Sequence, residues 1–365
     1  MGPLTGVRVV EFAGIGPGPF ACMMLADMGA EVVRIDRALP EGVTAPDPTG
    51  DLISRGRKSV ALNLKDSEDV ATALALVQKA DILIEGFRPG VMERLGLGPD
   101  VCLKWNPHLV YGRMTGWGQD GPLSHAAGHD INYISLSGAL WSMGEEGRKP
   151  MPPLNLLGDF GAGAMYLAFG VVAALFRARE TGKGDVVDAA ICDGAASLFG
   201  FIQGMHNRGN WAYERASNRL DGGAPFYGVF ECADGLWVSI APLEPQFYAL
   251  FLKLLELNAE EFQDRLKPES WPRQQALFEE IFASKPRAHW CDLFEGTDIC
   301  FAPVLTPDEA LNHPHNVARG IYDHSHGFPQ PAPAPRFREA VTELPAPAPR
   351  VGEHTQDVLR EWGII

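Results

Sequence analysis

VRVVEFAGIGPGPFACMMLADMGAEVVRID, residues 7–36, decides the fold. Val7 to Phe12 reads as a strand, Gly14-Ile15-Gly16-Pro17-Gly18-Pro19 as a tight loop, and Phe20 to Met28 as a helix that Gly29 closes. Glu31 to Asp36 supplies a second strand. Strand, helix and strand in close succession form a crossover whose two strands lie parallel. The rhythm then repeats. Ser59 to Leu64 is a strand, and Asp66-Ser67-Glu68-Asp69 gives an acidic first turn to a helix with Val70, Leu74 and Val77 on one face. Asp81 to Ile84 and Leu109 to Met114 are further strands, and an apolar helix after Asp159 with a strand over residues 185–191 completes the layer. The expectation is an α/β fold with a doubly wound, Rossmann-like parallel sheet over residues 1–200.

Past residue 200 the pattern changes. Residues 226–231 and 236–240 flank Ala233-Asp234-Gly235, a hairpin signal, and helical segments follow over 247–257 and 274–283. A smaller α+β domain is expected over 220–310, with 201–219 and 311–327 as linkers. Residues 328–350 are rich in Pro and Ala and read as an extended connection. A short helix over 355–362 would return the chain to the large domain, so residues 328–365 are expected to join it.

The formal net charge of −15 repels nucleic acid and anionic membrane surfaces, which excludes both as expected partners. The cysteines are scattered without a C-x-x-C pair, so no disulfide framework or metal site is indicated. The N-terminus has no basic region followed by an apolar run, and a cytoplasmic location is expected. Phe160 to Phe176 is apolar, but at about 17 residues it sits at the low end of membrane-spanning lengths and contains three glycines. It reads as a buried core helix.

The opening loop resembles a dinucleotide fingerprint, with Asp36 placed where a ribose-binding acid would stand. The third glycine position holds Pro19, however, and Pro17 and Pro19 carry no N–H to cradle a pyrophosphate. A structural turn is the better reading. A basic set is more informative. Arg37 follows the second strand, Arg55-Gly56-Arg57-Lys58 precedes the third, Lys65 ends it, and Arg88 and Arg94 follow the fourth. In a doubly wound sheet the C-terminal strand ends share one edge, so Arg37, Lys65 and Arg88 would converge there on the phosphates of an anionic ligand such as CoA. Each taken alone could also be an ordinary solvated surface charge.

Gly128-His129-Asp130-Ile131-Asn132-Tyr133 opens one apolar segment, and Gly158-Asp159-Phe160-Gly161 opens another. Inversion at a carbon needs a proton acceptor on one face of a planar enolate and a donor on the other. A histidine and a partly buried carboxylate are readily tuned for both roles. Asp159 could equally be a helix cap, and His129 a hydrogen-bonded core residue. Spacing alone does not choose.

At these residues the chain resembles the family of family III CoA-transferases and α-methylacyl-CoA racemases, the racemase branch most closely. The matching pieces run from Leu4-Thr5-Gly6-Val7-Arg8-Val9-Val10-Glu11 through Glu85-Gly86-Phe87-Arg88-Pro89-Gly90, Thr115-Gly116-Trp117-Gly118-Gln119, Gly128 to Tyr133 and Gly158 to Gly161. They end at Gly182-Lys183-Gly184 and Gly352-Glu353-His354-Thr355. The resemblance implies epimerisation of 2-methylacyl-CoA thioesters, with His129 and Asp159 as the acid/base pair and Glu244, before Pro245, as a further active-site acid. It implies CoA contacts at Arg37, Leu62, Asn63, Leu64, Lys65, Gly86, Phe87, Arg88, Arg94 and Gly128, His129, Asp130, Ile131, Asn132, Tyr133. Backbone amides around Asp130 and at the helix start at Asp159 would hold the enolate oxygen. It further implies an interlocked homodimer. No metal or redox cofactor is expected, since CoA is part of the substrate. The alternative is CoA transfer between carboxylic acids through an acyl anhydride at Asp159; transferases generally lack the histidine.

Overall fold

The computed structural model describes residues 1–40 and 42–365, and these divide into two units. The first comprises residues 1–138, 153–199 and 319–365, and the second residues 139–152 and 200–318. In the first unit six parallel strands form one sheet: β1 (Arg8–Phe12), β2 (Glu31–Arg37), β3 (Arg57–Leu62), β4 (Ile82–Glu85), β5 (Val110–Thr115) and β6 (Asp185–Ala190). Their order is β3-β2-β1-β4-β5-β6. This is the doubly wound, Rossmann-like arrangement expected from the opening crossover. β1 lies mid-sheet with Val9, Val10 and Phe12 buried, and its Glu11, also buried, is met by Arg57 of β3.

Helices with the sheet strands in this part of the chain include α1 (Pro17–Asp27), α2 (Ser67–Gln78), α3 (Val91–Arg94), α4 (Pro99–Trp105), α5 (Asp130–Leu136) and α6 (Met165–Thr181), followed by α7 (Ile191–Asn207). Asp66 caps α2 by accepting the Glu68 N–H at 2.8 Å, a contact worth about 1 kcal/mol in such positions. The face of α2 that meets the sheet centres on Ala73, Leu76 and Val77, while Val70 and Leu74 pack at the margin of the core. The stripe is therefore rotated from the expected one. The C-terminal motif is structural. Gly352 donates its N–H to Ser59 Oγ, the His354 N–H reaches the Ser59 carbonyl, and Thr355 Oγ1 accepts the Ala61 N–H. These bonds dock the helix Thr355–Glu361 on β3, with Val358, Leu359 and Trp362 in the core.

Two expectations need correction. The apolar helix is not buried all round. Leu167, Ala168, Val171, Leu175 and Ala178 of α6 face inward, but Phe169 is 77% and Phe176 67% exposed. Close packing on one side is visible at Gly112 of β5, where an added Cβ would stand 2.9 Å from Val171. The stretch Leu156–Thr181 is long and apolar enough to cross a membrane, but its inward stripe belongs to the core. The supposed linkers also carry structure: residues 201–207 complete α7, and 311–327 include the helix Pro314–Arg319 and the strand Tyr322–Asp323.

In the second unit β7 (Gly228–Glu231), β8 (Trp237–Ile240) and β9 (Phe301–Val304) form an antiparallel sheet. The turn between β7 and β8 uses Gly235 at φ +73, a left-handed conformation that favours glycine. Helices α8 (Pro245–Leu254), α9 (Trp271–Ala283) and α10 (Arg287–Phe294) cover it. Their core is aromatic: Phe226, Phe230, Phe251, Phe278, Phe282 and Phe294 are buried, with Phe230 and Phe282 stacked at 4.9 Å.

Candidate active site

In the order β3-β2-β1-β4-β5-β6 the winding reverses between β1 and β4, and ligands of such sheets bind beyond the strand ends at that point. A cleft of about 560 Å³ lies there in the first unit. Its walls come from the segments after β1 (Gly14 to Pro19), β4 (Gly86 to Pro89) and β5 (Gly116 and Trp117). Gly128, His129, Tyr133, Asn155 and Asp159 complete it.

The Gly14–Pro19 loop thus does more than turn the chain, but a dinucleotide does not fit it. Helix α1 begins at Pro17 behind Gly16, whose φ of +71 favours glycine, and an added Cβ there would meet Asp159 Oδ2 at 3.4 Å. A carboxylate in that place repels a pyrophosphate. Asp36 is not free for a ribose either: it holds Arg34 at 3.0 Å and the Ser59 hydroxyl.

Asp159 sits in a wide π-helical turn, Leu156–Ala164, that runs into α6, so the alternative reading of it as a helix cap does not hold. The chain enters this turn through Leu154, at φ +59. Wide turns of this kind are frequent at functional sites. The Asp159 carboxylate is half-buried, and burial raises its pKa above the ordinary carboxylate range. The Asn155 amide at 3.4 Å and His129 oppose the rise, while Asp130 adds to it. His129 is exposed on the cleft wall at the N-terminus of α5, so it is no core histidine. Its backbone N–H donates to Asn132 Oδ1 at 3.0 Å, which fixes the entry into the helix.

Tyr133, one turn along α5, explains two glycines of the motifs. Its ring fills the space beside Gly116 and Gly128, where an added Cβ would come within 1.9 Å and 2.7 Å of ring carbons. It packs edge-on against Trp117 with centroids 4.7 Å apart, and its hydroxyl donates to the Gly128 carbonyl. Burial and the Asp159 charge push its phenol up, while Arg88 acts against them.

The basic residues separate. Arg88 lines the cleft with Gly86 and Phe87, whereas Arg37, Asn63, Leu64, Lys65 and Arg94 are outside its lining. Leu62 is 4% exposed, its side chain in the core and its carbonyl taken by the Ala38 N–H. Among the described residues Arg37, Lys65, Arg88 and Arg94 make no ion pair, so their charges remain available at the strand-end edge. The Arg55–Lys58 cluster is committed. Arg55 pairs with Asp27, Arg57 pairs with Glu11 at 3.0 Å, and Lys58 bridges Glu31 and Glu361. Of the other expected contacts, Asp130, Ile131 and Asn132 on α5 are outside the cleft lining. Glu244 belongs to the second unit, exposed just before α8 and without a side-chain capping bond. One expected oxyanion donor is spent: the Asp159 N–H goes to Asp130 Oδ1 at 2.7 Å.

The lining also includes residues that were not among the expected site residues. Gly16, Trp117 and Asn155 line the cleft, and of these Asn155, four residues before Asp159, carries the recognisable helical-neighbour spacing.

Residues 4–355 match the family model described as CoA-transferase family III. The chain belongs to that family. Among curated members it is 46% identical to an α-methylacyl-CoA racemase of Mus musculus over 362 residues, which is 99% of this chain and 93% of that protein. A racemase of the same name from Homo sapiens is 42% identical over 365 residues, again 99% and 93%. A crystal structure of a CAIB/BAIF family protein from Brucella suis superposes with a TM-score of 0.83 at 24% identity, covering 99% of each chain, and shows the shared fold. In this family III member the matched region contains the whole cleft.

Proposed function

We propose that this family III protein interconverts (2R)- and (2S)-2-methylacyl-CoA thioesters by removing and returning the α-proton. The observation that carries this reading is the arrival of His129 and Asp159, from separate elements, on the wall of one cleft. The racemase names of the mouse and human relatives point the same way. CoA phosphates dock at the strand-end edge, where Arg88 lines the cleft and Arg37 and Lys65 stand farther along the sheet. Asp159 takes the proton from one epimer while protonated His129 supplies the opposite face; for the other epimer the roles reverse. Burial, which disfavours the charged carboxylate, raises the Asp159 pKa and makes its protonated form easier to reach, as return of the proton requires. The Asp130 N–H, in the first turn of α5 where a helix provides no internal acceptor, is the remaining donor for the enolate oxygen. The reaction needs no metal or redox group. Glu244 is a further acid whose part depends on how the second unit meets the substrate.

The test is one pure epimer incubated in D₂O without an acceptor acid. The expected result is inversion with deuterium entering at the α-carbon. Stable configuration together with acyl transfer to an added carboxylic acid would replace this reading with transfer through Asp159.

We also propose a homodimer. The exposed Phe169 and Phe176 of α6 give it an apolar outer face, and a second copy of the chain is the occupant family membership supports. Sedimentation at twice the chain mass is expected, and Phe169→Glu should shift the protein toward monomer. A wild-type protein sedimenting as a monomer at micromolar concentration would contradict it.

A further inference from the structure

The cleft holds two acid/base groups on separate elements, and a third carboxylate joins those elements. Asp130 follows His129 directly and is the first residue of α5. It is 9% exposed and is not among the residues that line the cleft. Its Oδ1 accepts the Asp159 N–H at 2.7 Å, and the Gly158 N–H also donates to this carboxylate. The fit is tight. A Cβ on Gly158 would stand 2.1 Å from Oδ1 and 2.6 Å from the carboxyl carbon, so position 158 accepts only glycine without breaking the contact. An acidic residue in a first helical turn has an ordinary use, since it favours the helix N-terminus. Here the oxygen is spent on the backbone of another element instead, at the residue that carries the second acid/base group.

We propose that Asp130 is the positioning residue that fixes Asp159 relative to His129, and that its charge sets the protonation range in which the pair works. This rests on the racemase reading above and deepens it. The geometric part follows from connectivity: one residue is covalently next to His129 and hydrogen-bonded to the peptide of Asp159, so the spacing of the pair is set by a single short bridge. Misplacing a reacting group by about 1 Å costs on the order of 10²-fold in rate. The electrostatic part follows from the neighbours. Facing Asp159 are His129, Asp130 and Tyr133 on α5, the uncharged Asn155 amide, and Gly16 of the opening loop. Asp130 opposes ionisation of Asp159 and His129 favours it. Both directions of the reaction use the singly protonated pair, so the acidic limb of kcat/KM reports the more acidic ionisation of that pair in either direction.

Two variants of the full-length protein separate these parts. Asp130→Asn keeps an acceptor for the two amides and removes the charge; the acidic limb of kcat/KM should move to lower pH for both epimers. Asp130→Ala removes the bridge; kcat should fall about 10²-fold in both directions while KM for the acyl-CoA stays within about threefold. An unmoved acidic limb in Asp130→Asn overturns the electrostatic role. A raised KM with intact kcat in Asp130→Ala makes Asp130 a substrate contact and overturns the positioning role. Should Asp130→Ala not fold, Asp130→Asn decides the electrostatic role through its pH profile, and Asp130→Glu, which keeps the charge but lengthens the bridge, decides the positioning role: kcat should fall with KM little changed, and an unchanged kcat overturns it. A wild-type protein that does not exchange the α-proton removes the parent reading and this one with it, whereas an active wild type with indifferent variants sinks only this proposal.

Discussion

Replacing His129 with Ala is expected to lower the epimerisation rate about 10²- to 10⁴-fold, the range of a lost general acid/base group. Asp159→Asn should fall by a comparable factor. Affinity for the acyl-CoA should stay within a few-fold of wild type in His129→Ala, because the charges proposed to meet the CoA phosphates, Arg37, Lys65 and Arg88, are untouched. His129 is exposed on the cleft wall and its side chain buries little, so its removal leaves no cavity. A large loss of activity with an unchanged thermal midpoint is therefore the signature of a chemical role. Kinetics measured from both epimers, beside a CoA-binding titration and a melting curve, read all three quantities. An active His129→Ala would return Asp159 to the transferase reading.

The second large effect is on folding. Arg57 of β3 and Glu11 of β1 form an ion pair at 3.0 Å with side-chain exposures of 0% and 1%. Arg57 also donates to the carbonyls of Ile53, Arg55 and Pro19, the last of these in the glycine loop that walls the cleft. Truncating one member of a buried pair leaves the other charge without compensation and costs about 3–5 kcal/mol. Arg57→Ala should therefore lower the melting midpoint by on the order of ten degrees, and it should loosen the Pro19 end of the cleft. Arg57→Lys will not restore it, since a single ammonium cannot serve a carboxylate and three carbonyls in the geometry of a planar guanidinium. Scanning calorimetry of the two variants is the check; a midpoint within about two degrees of wild type would show that the buried pair is energetically idle.

Those two residues also show what the sequence could and could not say. The sheet was readable because each crossover carries its own signature: Val7 to Phe12, the glycine loop and Glu31 to Asp36 are local patterns, and local patterns survive without tertiary information. Charge did not read as well. Arg57 belonged to a basic run that looked like part of a ligand edge, and only the pairing of β3 beside β2 shows it turned inward to Glu11. Similarly Asp36 stood where a dinucleotide's ribose would want it, yet Ser59 and Arg34 occupy it. Leu62 could contribute to a ligand only after its side chain and carbonyl had been accounted for, and both are engaged in the core.

The site was half legible. His129 and Asp159 carry residue types suited to proton transfer, but nothing in their separation along the chain places them together; the family resemblance joined them before the fold did. The π-helical turn at Leu156–Ala164 was hidden because glycines and apolar residues before a long apolar helix look like the first turns of that helix. The Asp130 bridge to Asp159 was hidden for a different reason: it is a side-chain bond to a backbone N–H 29 residues away, and such bonds leave no periodic pattern in a sequence. The exposed face of α6 was likewise invisible, since an apolar helix looks the same whether its second face meets the core or another chain.

The central claim is that two different groups serve the two faces of one α-carbon. The most direct measurement is washout of an α-deuterium label from each pure epimer by the two single-base variants. The account predicts mirror-image results: His129→Ala keeps exchange with the epimer that presents its proton to Asp159 and loses the other, and Asp159→Asn does the reverse, with neither variant inverting its substrate appreciably. Exchange of both epimers by one variant, or of neither by both, would contradict it.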